Sequence, residues 1–234
     1  MSKKDDLRKQ RDGTVINSTS KQQEKKFGKV LDQLQSKLIA EFGLKIHHEK
    51  KWMLKDIVAH LEAIFPDIKF FNHFATSFMS PDGGIYTIED KSGKRYPILI
   101  SEVKNQGTND LRADEGKQKQ AKGNAIERLG KNVIGFRTAL LGESIFPFVC
   151  FGYGCDFEED SSILDRVVTI AMFGPLNTIS VVNQGEGGMF NRGSFFFRGE
   201  KWTELEMLNV MHEVAKRSIH YYFAKYGDDF FVKI

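Results

Sequence analysis

Pro81-Asp82-Gly83-Gly84, Ile85-Tyr86-Thr87-Ile88-Glu89 and Tyr96-Pro97-Ile98-Leu99-Ile100-Ser101-Glu102-Val103-Lys104 form the stretch whose reading decides the fold. Ile85 to Glu89 alternates like a strand, and Asp90-Lys91-Ser92-Gly93-Lys94 is turn chemistry. Tyr96 to Glu102 is a second strand with an apolar run at Pro97-Ile98-Leu99-Ile100. Folding this hairpin about Ser92-Gly93 sets Asp82 opposite residues 102 to 104, within one position of register. Glu102 and Lys104 then share a face, because strand side chains have period 2, while Val103 points into apolar packing.

Two carboxylates and an ammonium gathered this way suit work on a phosphate. Asp and Glu oxygens held together are what a hard cation such as Mg2+ requires, and a lysine beside them orients water and neutralises charge. Taken alone, Glu-x-Lys at a strand end reads as a solvated cross-strand pair. Pro-Asp-Gly-Gly at a hairpin's distance shifts the balance, since Gly83-Gly84 signals a bend or bulge that re-aims Asp82.

The chain has 234 residues, 41% hydrophobic and 12% aromatic with 20 Phe, enough to bury one full core. No run approaches the roughly 18 apolar residues of a membrane span, and no apolar stretch follows the N-terminus. No membrane association is expected. Cys150 and Cys155 read as buried thiols of a reducing cytoplasm rather than a disulfide or zinc site. A net charge of +3 says little, but its distribution is uneven. Residues 1–26 carry eight Lys/Arg against four Asp/Glu, leaving the rest near neutral. This segment reads as a flexible basic N-terminal arm, suited to a phosphate backbone or simply to solubility. Residues 27–234 read as a single domain.

Along that domain the periodicity predicts a helix from Ser20 to Gly43, with Phe27, Val30, Leu31, Leu34, Leu38 and Phe42 inward. A second helix runs from Met53 to Phe65. A polar loop follows the hairpin from Asn105 to Lys122, and a helix spans Asn124 to Leu141. Phe146 to Phe151 reads as a buried strand. A short helix over 162–172, strands near 177–183 and 194–198, and a final helix from a capping box at Thr203 and Glu206 to Gly227 complete the reading. Strands alternating with helices predict an α/β sandwich around a central mixed sheet of about five strands. His47-His48 is taken as surface, Gly185-Glu186-Gly187-Gly188 as a flexible connection, and Trp202 as a packing anchor.

Gly123-Asn124-Ala125-Ile126-Glu127-Arg128 opens the helix after the polar loop. Helix N-termini attract phosphate, Asn reads adenine bidentately, and Arg binds base-edge acceptors. Standing alone, the block is equally an Asn-capped helix with a surface ion pair. Together with Pro81-Asp82-Gly83-Gly84 and Glu102-Val103-Lys104-Asn105-Gln106-Gly107 it resembles the EcoRI family of type II restriction endonucleases. Glu143 to Val149 and Ser162-Ile163-Leu164-Asp165-Arg166 extend the likeness, which runs from about residue 30 to the last helix.

The resemblance implies a restriction-endonuclease-like fold and a Mg2+-dependent homodimer that cuts both strands of a palindrome and leaves 5′ overhangs. It implies that Asp82 and Glu102 hold the metal with the Val103 carbonyl, and that Lys104 positions the attacking water. Asn124, Ala125, Glu127 and Arg128 match the readers of an AATT core, and Arg166 matches an arginine at the outer G·C pair of GAATTC. A cognate DNA methyltransferase in the same host, without a stable complex, is implied too. The sequence departs from the family pattern at Gln120, where a methionine near the outer pyrimidine is expected, and at Thr169, where a second arginine is expected. A repair or junction-resolving nuclease would keep the metal site without the base-reading block, and a non-catalytic DNA-binding protein would lack one of the three catalytic positions.

Overall fold

A computed structural model describes residues 14–71, 74–105, 116, 124–154, 157, 164, 167, 169–170 and 175–234. For residues 14–25, 105, 124, 125 and 127 it describes the backbone alone. Gln120, Arg166, Cys155, most of the 105–122 loop and the chain before Thr14 lie outside the described residues.

Five strands make one mixed sheet. In chain order they are β1 (Ile46–Glu49), β4 (Ile85–Glu89), β5 (Arg95–Asn105), β6 (Phe148–Tyr153) and β7 (Ser194–Arg198), and they lie side by side in that order. β1, β4 and β5 pair antiparallel, whereas β5, β6 and β7 pair parallel. β2 (Trp52–Met53) and β3 (Phe78–Met79) form a separate two-stranded ribbon.

Helices cover both faces, so each face has its own apolar cluster. On one side α1 (Thr14–Phe42) and α4 (Glu204–Tyr226) pack Val30, Leu34, Leu38, Met211, Val214 and Ile219 onto Tyr86, Ile88, Ile98 and Phe151. On the other, α3 (Asn124–Ala139) packs Ile126, Leu129, Val133 and Phe136 onto Ile85, Ile100, Phe148 and Cys150. Each such buried side chain contributes about 1.5–3 kcal/mol. A shorter α2 (Leu54–Ile64) lies between β2 and the 66–77 segment. No helix among the described residues is long and apolar enough to cross a membrane.

The helix ends follow their residues. α4 opens with a full capping box, Thr203 Oγ1 accepting from Glu206 N and the Glu206 carboxylate accepting from Thr203 N, and stops at Gly227. α1 stops before Gly43, whose φ of 62° suits glycine, but its backbone is helical back to Thr14, ahead of the expected Ser20. Leu164, Val167, Thr169 and Ile170 are helical, inside the expected 162–172 span.

Two expectations are corrected. Residues 177–183 form no strand; only Val182 bridges to Ile145. Around that bridge Phe146 N donates to the Val181 carbonyl and Asn183 N to the Ser144 carbonyl, while Ser194 Oγ accepts from Ser180 N and Asn191 Nδ2 also donates to the Val181 carbonyl. Residues 186–190 are a 3-10 turn, with Gly188 set against the Asn183 backbone, rather than a loose connection. Trp202 is the anchor expected, donating to the Gly152 carbonyl and packing on Phe151 and Phe196.

Candidate active site

The β4–β5 hairpin has the expected register. Gly83 N donates to the Ser101 carbonyl, Ser101 N to the Gly84 carbonyl, and Ile85 faces Ile100. Asp82 therefore sits in a turn beside Glu102. The hairpin's bulge lies further along, where Tyr86 faces Leu99 but Thr87 faces Pro97. Proline has no N–H to give the ladder, and the extra residue, Ile98, turns inward. Beyond it period 2 resumes, so Val103 packs toward the α1/α4 core while Ile100, Glu102 and Lys104 face α3.

Gly83 and Gly84 are required by close approach. A Cβ on Gly83 would collide with Ser101 Oγ and stand 2.6 Å from the Phe27 ring. Gly84 has φ of 73° and lies against His48. His48 stacks on Tyr86, ring centroids 4.3 Å apart, and Nε2 donates to the Gly83 carbonyl at 2.9 Å. His48 is thus a brace for the turn that carries Asp82, more than the surface residue expected. His47 points the other way and pairs with Glu89 at 2.7 Å.

Lys104 Nζ bridges the two carboxylates, donating to Asp82 Oδ2 at 3.0 Å and to Glu102 Oε1. Asp82 N donates to Glu102 Oε2 at 2.9 Å, and Asn132 Nδ2, from α3, donates to Oε1 at 3.2 Å. Glu102 is 1% exposed, whereas the Asp82 side chain is 49% exposed. Burial raises the Glu102 pKa above the usual carboxylate range; the Lys104 ammonium pulls it back, and the Asp82 charge adds to the rise. Burial works against the Lys104 charge, but Glu102 and Asp82 outweigh it and leave the ammonium pKa raised. Beneath them Cys150 is fully buried, which pushes its thiol well above the ordinary value and keeps it from acting as a nucleophile.

These groups open into a cleft of about 1430 Å³, whose walls include Asp82, Glu102, Lys104, Arg128, Lys131 and Asn132. Arg128, exposed on α3, lines the same cleft as the carboxylates, as does Ile126 of the same helix turn. Asn124, Ala125 and Glu127 lie on the first turn of that helix.

The donor set fits a hard divalent cation. Among the described residues no cluster of three or more His, Cys, Asp or Glu side chains offers an all-protein cage. Two carboxylates are nevertheless what Mg2+ ordinarily takes from a protein, keeping water and substrate oxygens for its other positions. Asp82 and Glu102 are the two carboxylates that meet here, and the Val103 carbonyl follows on the same strand.

Asn132 and His48 are the residues that sequence reasoning missed. Asn132 had a signal, lying eight positions after Asn124 on the same helix. His48 had none, because its contact depends on the fold of a distant turn.

The chain is 33% identical over 173 residues to the type II restriction enzyme RsrI of Cereibacter sphaeroides, covering 59% of this chain and 62% of that enzyme. It is 28% identical over 194 residues to the type II restriction enzyme EcoRI of Escherichia coli, covering 68% of this chain and 70% of that enzyme. The match thus spans under two thirds of RsrI's length. The profile of the family described as restriction endonuclease EcoRI matches residues 10–229, nearly the whole chain, and the chain belongs to that family.

Proposed function

We propose that this chain is a type II restriction endonuclease, cutting both strands of double-stranded DNA at a palindrome with an AATT core, GAATTC. It works as a homodimer in the cytoplasm, alongside a methyltransferase that protects the host's own sites. The observation that carries the reading is the single cleft in which Asp82, Glu102 and Lys104 meet Arg128 of the helix carrying Asn124, Ala125 and Glu127. In this reading the hydrolytic groups and Arg128 share one space.

Each residue has a task in that reading. Asp82 and Glu102 hold Mg2+, with the Val103 carbonyl as a further oxygen. Bound there, the cation lowers the pKa of water and offsets charge on the phosphate. Lys104 holds the attacking water and neutralises the charge that builds up on the phosphoryl oxygens. Water attacks phosphorus and the bond to the 3′ oxygen breaks. The products are a 5′-phosphate and a 3′-hydroxyl on each strand, with 5′ overhangs. Asn124, Ala125, Glu127 and Arg128 read the AATT core from the helix N-terminus. Gln120 and Arg166 contact the outer pair.

Digesting a sequenced plasmid with Mg2+ and mapping the ends tests the reading. Cuts confined to AATT-centred palindromes with 5′-phosphates are expected. Nicks at mismatches or junctions, or binding with no cleavage, would overturn it.

A further inference from the structure

Asn132 lies outside the block that matches the base readers, yet it touches the most buried carboxylate of the site. Its Nδ2 donates at 3.2 Å to Glu102 Oε1, the oxygen that also accepts from Lys104, while Oε2 accepts from Asp82 N. Among the described residues Glu102 thus has three protein donors, of which one comes from another element. Lys104 belongs to the same strand and Asp82 to the same hairpin; Asn132 belongs to α3.

The placement along α3 gives that contact its meaning. Asn124, Arg128 and Asn132 stand at i, i+4 and i+8, so they follow one face of the helix. At 1.5 Å per residue the contact to Glu102 is about 12 Å along the axis from the base-reading end. The helix is also seated tightly. A Cβ on Gly135 would collide with Met79 Sδ, and one on Gly130 would sit 3.4 Å from Ile170. The base-reading end and Asn132 belong to one continuous helix, so how its N-terminus seats bears on where Asn132 stands.

We propose that Asn132 is a positioning residue that holds the Glu102 carboxylate and makes its orientation depend on how α3 seats on DNA. Discrimination then operates on cleavage as well as on binding. This inference rests on reading Asp82, Glu102 and Lys104 as the hydrolytic site.

The test uses the full chain with Asn132→Leu, which keeps the side chain's size without its amide, and Asn132→Ala. Three quantities are measured: Mn2+ affinity by electron paramagnetic resonance, duplex affinity in Ca2+, and single-turnover cleavage in Mg2+. Cleavage is compared on the cognate duplex and on one with a single inner base pair changed. Loss of a residue that orients a metal ligand typically costs about 10–100-fold in metal affinity or activity. Mn2+ affinity and cognate cleavage should fall within that range in both variants, with duplex affinity unchanged within about twofold. Cleavage of the altered duplex should fall less, narrowing the ratio between the two.

Wild-type Mn2+ affinity and cleavage in both variants would overturn the proposal. So would a duplex affinity that falls in step with the rate, which would make Asn132 a DNA contact. An equal loss on both duplexes would overturn the coupling. If the wild-type chain binds Mn2+ but cuts neither duplex, the proposed function fails. The Mn2+ comparison then still decides whether Asn132 holds Glu102.

Discussion

The backbone N–H of Asp82 donates to the Glu102 carboxylate at 2.9 Å, so the turn before β4 and the end of β5 are tied by main chain as well as by Lys104. The two carboxylates are therefore set by one hydrogen-bonded unit. Isosteric amides are the right probes of the chemistry, because Asp82→Asn and Glu102→Gln keep an acceptor and the shape. Each should lower the single-turnover rate by more than about a hundredfold, since partners that merely orient a metal ligand already cost 10–100-fold. Cognate duplex affinity in Ca2+-free buffer should hold or rise, because a negative charge facing phosphate has gone. An unchanged rate in Glu102→Gln would remove that residue from the chemistry.

Lys104→Met isolates the ion pair. It leaves Glu102, almost wholly buried, without its cation, and breaking a buried pair from one side costs on the order of 3 kcal/mol. The double variant Lys104→Met/Glu102→Gln should recover most of that loss in urea unfolding while staying inactive. A single variant as stable as the parent would mean that the pair contributes nothing to folding.

Arg128 should carry specificity. Arg128→Ala is expected to cost about 1–3 kcal/mol against the cognate site and much less against random DNA. Filter binding at fixed salt on both duplexes measures it. Equal losses on the two would make Arg128 a phosphate contact.

The outer base pair is tested with a library of NAATTN duplexes cut at limiting enzyme. GAATTC should be preferred, with weaker discrimination at the flank than in the core, because Gln120 and Thr169 replace apolar and charged support expected there. Equal cleavage of all flanks would retire GAATTC for a four-base recogniser. A preference for CAATTG would remove Arg166 from that role.

Acid should loosen α4. The Arg198 hydrogen bond, helped by Thr203, holds the Glu206 carboxyl at about 2, below its ordinary 4.5. A depressed carboxylate gives stability that is present above pH 4.5 and lost as the pH falls toward 2. Glu206→Gln should therefore be the less stable protein at pH 7, and the difference should close in acid unfolding curves between those limits. Thr203→Ala should cost about 0.5–2 kcal/mol through the lost cap.

What was legible in the sequence was local. The hairpin register followed from alternation and turn residues within a span of 24 positions, Pro81 to Lys104, and α4 announced both of its ends with Thr203, Glu206 and Gly227. The Glu102–Lys104 face was legible for the same reason. Residues 177–183 misled because alternation registers burial, not the length of pairing: the backbone pairs with 144–146 only around Val182, and Ser180 N turns to the Ser194 side chain. His48 and Asn132 were hidden because each acts across the fold, on a turn 35 residues away and a strand 30 residues away.

Strand β5 is where the sheet changes sense, antiparallel toward β4 and parallel toward β6. The two sides differ in how far the chain must travel to make them. A hairpin closes in about 1–10 μs, whereas parallel pairing waits on a long crossover whose entropy is lost before contacts repay it. Assembly should thus run from the carboxylate hairpin outward, with α3 and β6 docking late. Mutations at Ile88 or Tyr96 should slow folding, and those at Leu129 or Val133 should mainly speed unfolding. A chain still folding then holds Asp82 and Glu102 without the helix proposed to read DNA. Its cutting groups remain disconnected from a sequence to cut until the last element arrives.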